Sequence, residues 1–380
     1  MRNLLICLGI TLAVLTISAT AQSNKEIMYI GTYSVRGSEG IYVFEFDRKA
    51  GTMQQLQSIS GLKSPSFLAI HPTGRFLYSV NEGAESGPGK AGAVSAYAID
   101  KSTGKLRFLN SQSSLGNGPC HISVDQTGKT AFVANYGGGS LAVLPINADG
   151  TLGTPTDSVQ NSGTGPDKQR QEKAHVHSAT VAPDNRFVYV ADLGTDKLHI
   201  FETDVKASTV KPAQTPYVTV KPGSGPRHFT FHPNGKYAYL VEEMASSVAV
   251  FTRDAKTGSL TLIDDGVKTL PADFTGKNTS ADIHVDPSGK YLYQSNRGYN
   301  GLTIFSIGKD GKLAKVGDQP TEGKTPRNFL IDPKGEYVFV ANQDTDNITI
   351  FKRDAKTGKL TYTGQSVKVP SPVCVLMANR

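Results

Sequence analysis

The chain has 380 residues, 38% of them hydrophobic, enough for one large domain or two or three ordinary ones and too much for intrinsic disorder. Its formal net charge is +7, yet no block of Lys and Arg forms, which argues against a nucleic-acid-binding stripe and for an ordinary solvated basic surface.

The first element is MRNLLICLGITLAVLTISATAQS. Arg2 supplies a short positive region, Leu4 to Ile17 is apolar, and Ala19-Thr20-Ala21 is a small-residue cleavage pattern. This predicts a secretory leader over residues 1–21, with a mature chain from Gln22 and export to the periplasm or the medium. The competing reading is an uncleaved anchor, but the run is shorter than the ~20 apolar residues a spanning helix needs. No membrane span is expected after cleavage. Cys7 lacks the context of a lipoprotein signal. Loss of the leader leaves Cys120 and Cys374, which fall in non-neighbouring repeats and are expected to be two buried free thiols.

From about residue 27 the chain repeats itself. A hairpin signal, two apolar runs around a Pro/Gly/Asn turn, starts at His71, Asp125, Ala182, His232, Asp286 and Asp332, with spacings of 54, 57, 50, 54 and 46 residues. A second signal follows each hairpin: an alternating strand, an Asp-x-x-x-Gly type turn, then a weaker strand. It occurs seven times, against six for the first, from YVFEFDRKAGTM to ITIFKRDAKTGKL. The N-terminal unit lacks its first strand, and SPVCVLM, residues 371–377, reads as a first strand with no unit after it. Pairing the two ends completes a seventh unit. The expected fold is therefore all-β, a seven-bladed β-propeller filling residues 22–380 as one domain and closed by the C-terminal strand. With no tryptophan the chain cannot carry the WD40 signature. The long insertion NSGTGPDKQRQEKAHVH, residues 161–177, is polar and reads as a surface loop.

Registering the copies on their turns places the chemistry. The first strands begin PSF, PCH, VHS, PRH, SAD, PRN and PVC, and these starts should meet at one mouth of the central channel. They bring Cys120, His121, His177, Arg227, His228 and Arg327 there. The second strands end there too, in an Asn/Asp series that reads mostly as strand capping, followed by Glu82, Tyr136, Glu243, Arg297 and Gln343. His71 and His232 sit in turns on the opposite face and read as structural, and His284 as packing. Ionisable groups gathered at one mouth cost desolvation and repulsion unless a ligand offsets it, so Arg227, His177, His228, Glu243 and Arg297 are read as functional. His175 and His177 with Glu243 are a weaker candidate for a metal, and a metal-free site is preferred. GPGKAG at 87–92 lacks the Ser/Thr of a phosphate loop, and GxSxG, HExxH and CxxC are absent.

NYGGGS (135–140), HVHS (175–178), GPRHF (225–229), SNRG (295–298), PRNF (326–329) and ANQDTDNITIF (341–351) together resemble the seven-bladed propeller lactonases of the bacterial 6-phosphogluconolactonase type. The likeness runs in order from about residue 27 to the C-terminus. It implies hydrolysis of a sugar δ-lactone, of 6-phosphogluconolactone or a related glucono-δ-lactone, to the aldonic acid, with no cofactor and a monomeric enzyme. His177, Arg227, His228, Glu243, Arg297, Arg327 and Gln343 match the family's motifs. Two departures matter. EEMASSV stands where the family has a single Glu before an aliphatic residue, so Glu242 and Glu243 compete. The leader also separates the protein from a phosphorylated lactone made in the cytoplasm.

For such a reaction Glu243 or His177 is the expected general base. Arg227 with His228 would hold the oxyanion, and Arg297 with Arg327 would clamp an anionic group. Glu82 and Tyr136 would meet sugar hydroxyls, and His121 and Gln343 complete the expected substrate-binding set. The competing functions are an exported propeller that binds a sugar acid or a protein without chemistry, and a carboxymuconate-type lactonising cyclase.

Overall fold

The computed structural model describes residues 24–86 and 91–378. The expected leader and most of GPGKAG lie outside the described residues. The rest forms seven four-stranded antiparallel sheets, and no helix occurs among the described residues. Six sheets are consecutive in sequence, starting with the strands Leu68–Ile70, Pro119–Val124, Val176–Val181, Pro226–Phe231, Thr279–Val285 and Pro326–Ile331. The seventh is composite: Pro372–Met377 pairs with Lys25–Thr32, Met28 opposite Met377 and Gly31 opposite Cys374. The ring thus closes as the mismatch of six against seven signals predicts, and no blade lacks its inner strand.

Each sheet buries both faces against its neighbours, so its middle strands are apolar throughout rather than alternating. Phe187–Asp192 and Tyr337–Asn342 are buried at every position. Tyrosines tie the blades together. The hydroxyls of Tyr29, Tyr78, Tyr189, Tyr239 and Tyr293 donate to the carbonyls of Gly104, Gly150, Gly258, Gly311 and Gly358, each in an outer turn of the next blade. Those turns are the Asp-x-x-x-Gly signal. In one of them Asp254 Oδ1 accepts the Lys256 and Thr257 amides, and Gly258 takes φ +74°, where a Cβ would lie 2.5 Å from the Phe187 ring. His71 and His232 are structural as expected: their Nε2 atoms pair with the carbonyls of Gly128 and Gly289 in the next blade, at 2.9 and 2.8 Å. Cys120 and Cys374 are free and buried.

One irregularity positions the site. Six of the seven inner strands carry a single extra residue at their start, relative to the strand they pair with. It falls at Cys120, His177, Arg327 and Val373, and in two blades among Arg227-His228 and Ala281-Asp282. A regular strand sends consecutive side chains to opposite faces, and a bulge breaks that rule. Proline opens four of these strands, at Pro119, Pro226, Pro326 and Pro372, the first position being where its missing N–H costs no ladder bond.

Candidate active site

The mouth holds a cavity of about 320 Å³. Its wall is formed by Glu82, Tyr136, His177, Glu243, Arg297 and Arg327, with Cys120, Thr279 and Arg170 completing it. A larger hollow of about 530 Å³ runs along the outer hairpin Glu202–Lys211, but its charged side chains do not converge on a buried point.

Glu243 is the hub. It is 4% exposed, and its Oε2 takes Arg227 Nε at 3.0 Å and Arg297 Nη2 at 2.9 Å, while Oε1 takes Arg170 Nη2 at 2.6 Å. Burial alone would raise its pKa, but Arg297, Arg227 and Arg170 outweigh that and hold the carboxyl down at about 2. Its neighbour Glu242 turns the other way, into the blade, fully buried, with Oε2 accepting the Ser247 hydroxyl at 2.5 Å. Burial pushes Glu242 up to about 7. The inward carboxylate is thus Glu243.

His177 reaches Glu243 with Nε2 at 3.9 Å, and its Nδ1 lies 3.8 Å from Cys120 Sγ. Burial, Arg227 and His228 hold it well below the usual histidine range, so it is neutral at pH 7. Tyr136 stands edge-on to it and stacks on His175, with ring centres 4.5 Å apart. Glu82 Oε2 accepts the Ser66 hydroxyl at 2.5 Å. Arg327 has no carboxylate within ion-pair distance among the described residues and lies 5.2 Å from the centre of the Tyr33 ring.

Arg227 and His228 do not line the cavity. Arg227, 2% exposed, is wedged beneath Glu243 with Nη1 donating to the Ala281 carbonyl at 2.6 Å. Burial, with Arg297 and Arg327 nearby, pushes it down to about 9, and it stays cationic at neutral pH. His228 lies one layer deeper, on the propeller axis, packed against Phe67, His121 and His177. Its Nδ1 bonds Asp282 Oδ1 at 2.7 Å. Asp282 is the anchor of this layer: His284 Nε2, Asn328 Nδ2 and the Phe329 and Ile283 amides also point at its carboxylate. So many donors require an anion, which fixes the His228 proton on Nδ1. Burial and Arg227 hold His228 down at about 4.

The remaining expected residues are placed elsewhere. His121 is in the axial layer, tilted against Phe67 with ring centres 4.3 Å apart. The Gln343 side-chain amide donates to Asp344 at 3.3 Å, and Gln343 is not part of the cavity wall. His175 does not join His177 and Glu243 around a point: its ring nitrogens are taken by the Tyr136 carbonyl and Glu172, both at 3.1 Å. Among the described residues no group of three or more His, Cys, Asp or Glu is arranged to hold a metal ion. The Asn/Asp series does cap strands: Asn81, Asn135, Asn296 and Asn342 each donate to a Ser or Thr hydroxyl of the adjoining strand.

The segment 161–177 departs from the sequence expectation. It is not a plain surface loop, because Gln171 is fully buried and Arg170 enters the cavity. Gln171 Nε2 donates to the Leu193 carbonyl and to Asp196, both at 2.8 Å. Arg170 lies outside the repeat, so registering the blades cannot find it. Asp282 was in register all along, but its importance rests on partners from two blades.

The sequence profile of the seven-bladed β-propeller lactonases matches residues 27–377. The chain is 38% identical over 353 residues to a 6-phosphogluconolactonase of Bacillus subtilis, covering 93% of this chain and 98% of that one. It is also 38% identical over 353 residues to a 6-phosphogluconolactonase of Formosa agariphila, covering 90% and 96%. Among solved structures, a periplasmic gluconolactonase of Pseudomonas aeruginosa superposes with a TM-score of 0.87 at 33% identity, covering 93% of this chain and 99% of that one. The chain belongs to the seven-bladed β-propeller lactonase family.

Proposed function

We propose that the protein hydrolyses a glucono-δ-lactone carrying an anionic group, of the 6-phosphogluconolactone type, to the aldonic acid. The observation that carries this reading is the cavity wall, in which a neutral imidazole and a fixed carboxylate face several guanidinium groups. Counting Arg227 beneath the floor, the site sets four arginines against Glu243 and Glu82, an excess of two positive charges that suits a phosphate monoester.

Lactone opening needs a water deprotonated as it attacks, donors for the carbonyl oxygen, and a proton for the leaving ring oxygen. Glu243 is held at about 2 with both of its oxygens committed to guanidinium groups, which removes it as the base. His177 is neutral and takes the water proton. Glu243 stabilises the imidazolium that forms, and the proton passes from His177 to the ring oxygen as the C–O bond breaks. Arg297 and Arg327 offer donors to the oxyanion and to the charged substituent. Arg227 and Asp282 act from behind, one holding Glu243 and the other His228.

The relatives named above include both a phosphogluconolactonase and a periplasmic gluconolactonase, which makes the unphosphorylated lactone, the one an exported protein would meet, the competing substrate. Proton release by the mature protein, measured with glucono-δ-lactone and its 6-phosphate side by side and corrected for spontaneous opening, separates the two. The phosphate ester is expected to be the better substrate. Turnover of neither would refute hydrolysis and leave the cyclase or the binding propeller. Export is expected to give protein recovered outside the cytoplasm with Gln22 at its N-terminus; intact Met1 would end the leader reading.

A further inference from the structure

Four arginines serve the site, and one differs from the rest. Arg227, Arg297 and Arg327 stand at strand starts or ends, fixed by the blades. Arg170 comes from the insertion 161–177, and its side chain is 39% exposed against 2% for Arg227 and 12% for Arg297. Its position is built all the same. Asp167 Oδ1 accepts the Gln169 and Arg170 amides and shapes the tip. Gln171, fully buried, ties the neck to Asp196, whose carboxylate also accepts the Gly223 and Gly225 amides just before Arg227. Tip and inner strand are thus held by one carboxylate.

Arg170 makes its contacts through one nitrogen. Nη2 meets Glu243 Oε1 at 2.6 Å and the Tyr136 hydroxyl at 3.4 Å, which leaves Nε and Nη1 without a partner among the described residues in a side chain that borders the cavity. Glu243 Oε2 is already shared by two blade-borne arginines, so Oε1 is the oxygen that Arg170 alone controls. This contact commits part of Glu243's charge to a rim arginine. An anionic substrate competes for the same guanidinium, since phosphate and carboxylate both match its fork.

We propose that Arg170 is the specificity-determining residue of the site: it pairs with Glu243 Oε1 and is drawn off it by the anionic substituent of the lactone. This rests on the lactonase reading above. Binding of an anionic lactone then takes one of three cations off Glu243, whose Oε2 faces His177 Nε2, and strengthens its support of the imidazolium, while an uncharged lactone leaves the latch closed. The groups facing Glu243 are Arg227 beneath it, Arg297 from the next blade, His177 and Tyr136 from the two preceding blades, and Arg170 from the loop. Only Arg170 is free to leave without breaking a blade.

The test is a comparison of wild type, Arg170→Ala and Arg170→Lys on glucono-δ-lactone and its 6-phosphate, with thermal melts to show that each variant is folded. For Arg170→Ala, KM for the phosphate ester should rise and kcat for the plain lactone should increase. The ratio of their kcat/KM values should fall by at least about tenfold, as expected for losing a hydrogen bond to a charged group. Arg170→Lys should recover part of that ratio. The acid limb of the plain-lactone pH profile should also move in Arg170→Ala, because Glu243 has lost a cation; a purely structural role would leave it in place. A ratio unchanged within about twofold, with wild type active, overturns the assignment of Arg170 and leaves the lactonase reading standing. A wild type inactive on both lactones overturns both.

Discussion

Replacing Glu243 by alanine is expected to lower kcat/KM for lactone hydrolysis at least about 100-fold and to destabilise the protein by about 3–5 kcal/mol. The two losses have one origin. Glu243 neutralises Arg227, which is 2% exposed and has no other carboxylate within ion-pair distance among the described residues. Removing the anion leaves a buried guanidinium beside Arg297 and near Arg327, all of one sign. In the mechanism proposed above, the same deletion takes away the negative charge that His177 would need once it held the water proton. Glu243→Gln keeps the volume and part of the hydrogen bonding, so it should recover stability more than rate. Urea unfolding midpoints and steady-state kinetics on the three proteins would show this. Activity of Glu243→Ala within tenfold of wild type would remove Glu243 from the mechanism.

The adjacent residue has the opposite prognosis. Glu242→Gln should stabilise the protein by roughly 3 kcal/mol at pH 8–9 and by very little near pH 4. The sign follows from the raised pKa. Below about 4.5, the ordinary glutamate value, the carboxyl is protonated folded or unfolded and costs nothing extra. As the pH rises the unfolded chain ionises first, while the folded chain keeps its proton until about 7. Stability drains over that interval, and above it the folded state holds a buried anion. Asp265, a second carboxylate beside Glu242, adds to the effect of burial, and the same position in four other blades holds an asparagine bonded to a Ser or Thr. A neutral amide restores that pattern. Melting temperatures from pH 4 to 9 test it, and parallel curves for variant and wild type would refute the buried-acid account.

These two glutamates also mark how far the sequence could be read. Repeats announced the fold, because a blade cannot bury its faces alone and must recur. Strand ends announced the mouth, and Glu82, Tyr136, His177, Glu243, Arg297 and Arg327 do share one cavity. Depth was not legible. Arg227 and His228 are consecutive and both turn inward, one beneath the carboxylate and one on the axis, because a bulge suspends strict alternation. Glu242 and Glu243 straddle the end of a strand, and the turn geometry that sends one outward and one inward has no signature in the letters EE. Arg170 was hidden for another reason: it belongs to an insertion, and a method built on repetition is blind to what does not repeat.

A ring closed by its last strand carries a consequence for synthesis. Pro372–Met377 supplies the inner strand of the blade that begins with Lys25, and the Val375 amide donates to Asn328 Oδ1, whose amide in turn holds Asp282. Until those residues emerge, the blade of Lys25–Thr32 lacks its inner strand and the axial layer behind His228 lacks one of its supports. The nascent chain can form six blades in order, yet it cannot complete the catalytic mouth one blade at a time. Competence arrives in a single step once Pro372–Met377 has been made, after Lys25–Thr32 has waited with one edge unpaired.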